Sequence, residues 1–544
     1  MDLQVFGHLK IRTDKTFVGK EILHLRFPIM PFCDFVDGDL LVVKAIFFFF
    51  FSGAACIYPY VSVYMQQVGL LPSQIGLIKS AGNFMSIIIK PVLGSIADKT
   101  GRSKLVAVLT VMTASALLFS MLFIPPVPSK TTSRATREQS HLADQDKSDR
   151  NTKDTQSWFS LTFWLFFWIF FLSHGVYWSS VSQVEAASYQ TIKRKGRGQF
   201  GRQRLFGSVG FSIFAFVSGF AMDTFTDWTK AENQGKRTSV ETAGNKTKTD
   251  YSVAFYMFLT FMILTVCCLL KLKDWSAEPS TGFLKDVGKL LSQLHLLIFL
   301  IAVLLLGALD AASETFLLLH LKDLGASQTV LGVFLFVRTA AEIPVYVIST
   351  WIITKLGYTA VLGCGFAAIG LRFLLYSFIS NPWWAVAIDT LNGYHALMWA
   401  AMTSYVSISA QDGLQTVAQG IVATTFYGLG HTLGNLVGGV VYNRYGAVAF
   451  FRSFSVSCLI GFLLFYLLYR CFGKKKNPTG RRSDTEDENE TQTSLMSTDG
   501  DVAESQALKQ GTFLRGGSVT SLAGENIGFL RLVKPQDRDI SGLK

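Results

Sequence analysis

Apolar residues in this chain gather into windows of about twenty, separated by short polar turns. Roughly 20 apolar residues span a bilayer as a helix. Twelve windows satisfy that: 40–64, 73–96, 104–125, 158–183, 205–222, 251–270, 294–319, 328–353, 359–379, 383–408, 416–440 and 449–470. They predict an all-α polytopic membrane protein of twelve transmembrane helices. Six windows precede a polar stretch and six follow it. The expected organisation is an N-terminal segment at 1–39, a six-helix bundle at 40–270, a connector at 271–293, a second bundle at 294–470 and a polar tail at 471–544.

Composition agrees. Half the residues are hydrophobic and only 16% are charged, with mean hydropathy +0.34. A soluble chain of 544 residues would need far more charge to cover its surface. The first 38 residues lack a basic region followed by an apolar one, so no cleavable signal is expected and the first helix directs insertion.

The net charge of +12 has a topological explanation, and nucleic acid is not an expected partner. Lys99, Arg102 and Lys104 follow the second window, Lys193, Arg194, Lys195, Arg197, Arg202 and Arg204 follow the fourth, and Lys474 to Lys476 follow the last. The alternate turns are nearly uncharged: none in 66–73 or 381–382, and Lys322 alone after the seventh window. Basic loops stay in the cytoplasm, so both termini are placed there, in a plasma membrane or an endomembrane. The longer segments 126–157 and 223–250 constrain orientation weakly. On this topology Asn245-Lys246-Thr247 is an outer glycosylation acceptor, while Asn489-Glu490-Thr491 lies in the cytoplasmic tail. That tail carries an acidic run from Asp484 to Glu490 and reads as solvated and disordered.

Seven cysteines form no CxxC pair, and no GxxxxGK[ST] phosphate loop is present. No metal, cofactor or ATP-driven chemistry is expected, and the chain does not read as an enzyme.

Charges within apolar windows cost several kcal/mol unless they pair or face a cavity, so each is a functional candidate. Asp310 and Glu314 lie one turn apart in 294–319, as do Arg338 and Glu342 in 328–353, with Pro344 just beyond. An internal Arg338–Glu342 ion pair is the plain structural reading. Arg372, Asp389, Asn392 and His395 follow, and His431 sits among glycines. Lys44 and Lys90, read as near helix ends, are expected to snorkel to the interface. The Phe47–Phe51 run reads as packing bulk.

The turn Gly94 to Arg102, GSIADKTGR, joins the second and third windows. It resembles the Gly-x-x-x-Asp-x-x-Gly-Arg signature of the major facilitator superfamily. In that reading Gly94 lets helices approach, Asp98 sits near a helix N-terminus or pairs with an arginine, and Gly101 and Arg102 complete a gating turn. A phosphorylated-aspartate ATPase loop is excluded by Arg102 and by the apolar helix resuming at Leu105.

Val184-Glu185-Ala186 and Phe200-Gly201-Arg202-Gln203-Arg204-Leu205-Phe206-Gly207 resemble the oligosaccharide:proton symporter branch of that superfamily. The resemblance implies that Glu185 and Arg204 grip solute hydroxyls and that Phe211 stacks on the solute. It also implies that Glu342 joins binding to proton coupling with Arg372 and His395, and the intramembrane carboxylate Asp310 is a further candidate for proton coupling. The chain departs from that branch at Asn392, where the branch has lysine, at Met398, where it has the proton-carrying glutamate, and at Val345, where it has asparagine. Across 40–470 the segments around Arg204, in 391–405 and in 438–452 resemble the animal group called major facilitator superfamily domain-containing protein 6 and 6-like. The expected function is secondary transport of a small polar solute, sugar- or nucleoside-like, with protons as candidate co-substrate. The alternative is a carrier fold serving as a cell-surface receptor, because the group is associated with recognition of class I histocompatibility molecules. In that alternative the outer loops bind a protein ligand.

Overall fold

The computed structural model describes residues 38–127, 160–195, 200–234, 248–273, 287–288, 292–410 and 415–472. Asn245, Asn489 and most of the connector and tail lie outside them. The elements are α1 (Gly38–Ile57), α2 (Val61–Val68), α3 (Pro72–Thr100), α4 (Ser103–Ser120), α5 (Leu161–Lys195), α6 (Phe200–Gln234) and α7 (Ser252–Lys271). They continue with α8 (Leu294–Asp323), α9 (Gln328–Leu356), α10 (Tyr358–Tyr376), α11 (Trp383–Ile388), α12 (Gly393–Ser409), α13 (Gln415–Ala423) and α14 (His431–Phe472).

Among the described residues ten helical runs are long and apolar enough to cross a membrane. The last of these covers 54 residues, Val417–Arg470. At 1.5 Å per residue it would be about 80 Å long, more than twice a hydrocarbon core of about 30 Å. It breaks at Gly446, whose φ of 79° and ψ of 174° only glycine adopts without strain. The segment 383–409 is divided by a 3-10 turn at Asp389–Asn392 and so contains no single long helix. Divided at Gly446 and with the broken segment included, the chain accounts for the twelve expected spans.

The helices pack as two groups. In the first, α1 lies against α6 and α7, and α5 against α3 and α4; in the second, α14 lies against α8 and α10, and α12 against α9 and α10. The groups meet along α6–α9 and α3–α14. In a bilayer the lipid is as apolar as leucine, so packing and small residues hold helices together. A Cβ on Gly76 of α3 would lie 2.9 Å from Gly439 Cα of α14, so this crossing needs glycine on both helices.

The contacts between groups crowd one end of the molecule. Asp223, in the last third of α6, accepts from the backbone N–H groups of Gln328 and Thr329 at 3.1 and 2.7 Å, capping α9. Asp323 at the end of α8 accepts from Gln66 at 2.9 Å and from Tyr442 at 3.0 Å. Gln328 donates to the Tyr251 hydroxyl at 2.9 Å, and Ser80 donates to the Thr432 carbonyl at 2.8 Å. Farther along the same helices the groups part. Ile87 of α3 still touches Gly428, but Val92 and Ile96 of α3 and Tyr346 and Trp351 of α9 are exposed. Among the described residues, the molecule is closed at the end bearing residues 66–72, 223–234, 248–251 and 322–329, and open at the other.

Candidate functional site

On the first group, Glu185 in α5 and Arg204 near the start of α6 form an ion pair. The expected pairing is present in the geometry, and both side chains remain open, Arg204 by 44% and Glu185 by 30%. Arg204 also lies over the ring of Phe51, 5.5 Å from its centroid. Across the gap, Tyr346 of α9 and Tyr427 in the π-helical turn Thr424–Gly430 lie within electrostatic range of Arg204. Phe211, two turns beyond Arg204, is half-buried against the apolar core.

On the second group, a chain of polar contacts runs through α9, α10 and α12. Glu342 accepts from the Asn392 amide at 2.8 Å and has His395 Nδ1 at 3.2 Å. The Asn392 carbonyl oxygen accepts from Arg372 at 2.9 Å. Arg372 also donates to the Tyr394 hydroxyl at 2.9 Å and forms a buried ion pair with Asp389. Tyr376 closes that cluster by donating to Asp389 at 2.5 Å. Arg372 thus reaches Glu342 through Asn392, not directly. The expected Arg338–Glu342 pair is not formed. Arg338 instead lies 3.8 Å from Asp310, and His431 lies 3.6 Å from the same carboxylate on the other side. Helix rotation explains the swap: one turn separates Arg338 from Glu342 along α9, but each points to a different neighbour. Glu314, one turn beyond Asp310, is exposed.

Three expectations fail for physical reasons. Lys44 is 4% exposed and lies over the Phe206 ring at 5.5 Å, so it is buried between α1 and α6 and does not snorkel. Lys90 lies ten residues before the end of α3, about 15 Å along the axis, too deep for its stem to reach the interface. Gly94 has open space around it, nothing lying within 4 Å of where a Cβ would be, so no helix exploits its small size in this conformation. Elsewhere in the turn, Gly101 has φ of 62° and caps α3 through its N–H to Ala97 O at 3.1 Å. Asp98 lies in the last turn of α3, away from a helix N-terminus, and among the described residues neither it nor Arg102 has a charged partner. Lys104 does engage, donating to the carbonyls of Leu270 and Leu272 at 2.9 and 2.7 Å and so capping α7.

Asp389 and Asn392 are candidates by their place in an apolar window, whereas Tyr376 and Tyr394, which also contact Arg372, are not singled out by the sequence. The link of Asp389 and Asn392 to Arg372 depends on the 3-10 turn that rotates them inward. His174 is another that the sequence does not single out, accepting or donating at 2.8 Å with Asn83 in the interior of the first group.

The two-group architecture and the motifs it carries find a match over residues 40–453, three-quarters of the sequence, in the family described as MFS_1 like. The chain belongs to that family. It is an integral multi-pass membrane protein. Among relatives, it is 25% identical over 192 residues to major facilitator superfamily domain-containing protein 6-like protein B of Xenopus laevis, covering 35% of this chain and 31% of that one. The matched stretch therefore spans about a third of that relative. A longer match, 21% identical over 431 residues, covers 78% of this chain and 94% of the maltose permease of Geobacillus stearothermophilus. The fold is similar to that of the nucleoside transporter NupG, with a TM-score of 0.62 at 17% identity over 79% of this chain and 99% of that one.

Proposed function

We propose that this MFS_1 like chain is a secondary transporter that carries a small polar solute, sugar- or nucleoside-like, by alternating access between its two six-helix halves. The observation that carries the reading is the Glu185–Arg204 pair, charged groups within the membrane that stay open to the gap between the helix groups. Intramembrane charges persist when they pair or face a water-filled cavity, and this pair does both. A bidentate arginine beside a carboxylate offers donors and acceptors together to a polyhydroxylated solute.

Glu342 and His395 supply the second wall. One proton shared across their 3.2 Å separation can move with the solute, since separating the two residues changes which one holds it. Arg372, Asp389 and Asn392 orient Glu342 from behind. Proton coupling is therefore part of the proposal, with Asp310, Arg338 and His431 as a second charged cluster on the same wall. The gap opens toward the basic turns, which the charge pattern assigns to the cytoplasm, so the conformation is inward-open.

The names of relatives point the same way, since maltose permease and a nucleoside transporter are named for polar solutes. The test is thermal stabilisation of the purified protein by uridine and maltose, followed by uptake into proteoliposomes with and without a pH gradient. Saturable uptake supports the reading, and pH-driven accumulation supports coupling. Binding of an outer protein partner without any solute uptake favours the receptor alternative.

A further inference from the structure

We infer that the top of this gap holds a subsite for the anionic group of a planar-ringed solute, built from Lys90, Trp178 and Tyr427. The inference rests on the transporter reading and names the chemical class of its solute.

Lys90 is the starting point. Three arginines within the helices have a carboxylate beside them: Arg204 has Glu185, Arg338 has Asp310 and Arg372 has Asp389. Lys79 donates to Thr315 at 3.3 Å and has Glu314 within electrostatic range. Among the described residues no carboxylate and no hydrogen-bond acceptor contacts Lys90. Its ammonium lies 5.3 Å above the Trp178 ring, and that is its recorded contact. A cation–π contact offsets only part of the cost of a charge at that depth. An ammonium held at mid-membrane without a counter-ion is poised for one that arrives with the solute.

Its position is as telling as its charge. Ile87, less than one turn earlier, is where α3 meets Gly428 of the π-helical turn that precedes α14. Lys90 is therefore just beyond the point where the two helix groups part, at the apex of the open gap. Tyr427, beside Gly428, belongs to the π-helical turn Thr424–Gly430, an irregularity common at functional sites. Trp178 and Tyr427 come from opposite groups, and their rings are nearly parallel, 22° apart, with centroids 6.2 Å from each other. Admitting a planar ring between two aromatic faces needs roughly 7 Å. A parting of the groups would open such a slot between these two rings. Trp399, 5.0 Å from Tyr427, and His431, 5.1 Å from it, form the slot's back wall. The Tyr427 hydroxyl makes no hydrogen bond to the protein and is free for the solute. A ring wedged between groups also gives solute binding a direct lever on their closure.

The test uses the full chain in phosphatidylcholine nanodiscs and matched probe pairs: benzoate with benzamide for the carboxylate arm, uridine monophosphate with uridine for the phosphoryl arm. Binding is followed by thermal stabilisation and titration. At least one anion is expected to bind about tenfold more tightly than its neutral partner, and which anion does so separates carboxylate from phosphate. Lys90→Gln should abolish that preference, while Lys90→Arg keeps it. Trp178→Leu should weaken both members of a pair equally, which also covers the case in which Lys90→Gln fails to fold. No preference for either anion in the wild type, or an undiminished preference in Lys90→Gln, overturns the inference. Uptake of neutral uridine that Lys90→Gln leaves intact, with no anion binding, removes the subsite and leaves transport standing. Anion binding lost in Lys90→Gln, with no uptake of any probe by the wild type, removes the transporter reading and leaves the subsite.

Discussion

Asn392 ties Glu342 to Arg372: its amide donates to the carboxylate at 2.8 Å while its carbonyl oxygen accepts from the guanidinium at 2.9 Å. A neutral amide thus transmits the position of a buried arginine to an accessible carboxylate without neutralising it. Asn392→Asp would place two carboxylates side by side, and Asn392→Ala would release Glu342 from its anchor. Both should lower pH-driven uptake about tenfold or more, while Asn392→Gln keeps part of it. The initial rate of uptake at several external pH values checks this.

Removing one partner of the Arg372–Asp389 pair should destabilise the fold itself. Both residues are essentially inaccessible, and Arg372→Ala strands a buried carboxylate. Breaking a buried pair in this way costs about 3–5 kcal/mol. The thermal midpoint of Arg372→Ala should fall by several degrees without solute present, whereas Arg204→Ala, which removes an open side chain, should change it little. Equal stability of wild type and Arg372→Ala would show that water reaches this cluster.

The closed end depends on Asp223 capping α9. A charged cap at a helix N-terminus contributes about 1–2 kcal/mol, and this one joins opposite groups. Asp223→Ala should loosen that end and favour the conformation open on the outer side. Cysteines placed at Thr226 and Thr329 should react faster with an impermeant thiol reagent in that background. Unchanged labelling would make Asp223 a local cap with no part in gating.

The turn at Gly94–Arg102 lies at the open end, where among the described residues Asp98 and Arg102 have no charged partner. The proposed alternation would bring Asp98 and Arg102 toward partners when that end closes. Asp98→Asn and Arg102→Ala should slow exchange between conformations at least severalfold while leaving the folded yield unchanged. Normal exchange rates in both variants would reduce the motif to a tight turn.

Much of the fold was legible because lipid imposes one simple rule: a span must be apolar and about twenty residues long. The windows 40–64 and 294–319 needed nothing more. The site was harder. Glu185 and Arg204 could be matched because both belong to short continuous motifs. The pairing of Asp389 with Arg372 could not, because it depends on a 3-10 turn, and Tyr376, one turn from Arg372 on the same helix, carries no charge to single it out. Intrahelical spacing also misplaced Arg338, since residues one turn apart share a face but choose partners on different helices. Lys90 was misjudged for a related reason: hydropathy ended its window at 96, whereas the helix continues to Thr100.

The central claim is that Glu185 and Arg204, from the first helix group, and Glu342 and His395, from the second, serve one solute. The most direct measurement is counterflow of uridine and maltose in proteoliposomes containing the wild type, Arg204→Ala or Glu342→Gln. Removing Arg204 takes away the guanidinium donors that the account assigns to gripping the solute, so no counterflow is expected from Arg204→Ala. Glu342→Gln keeps a hydrogen-bonding group of the same shape and should retain counterflow, which needs no net proton movement, while losing its pH dependence. Full counterflow by Arg204→Ala of a solute that the wild type carries would contradict the account.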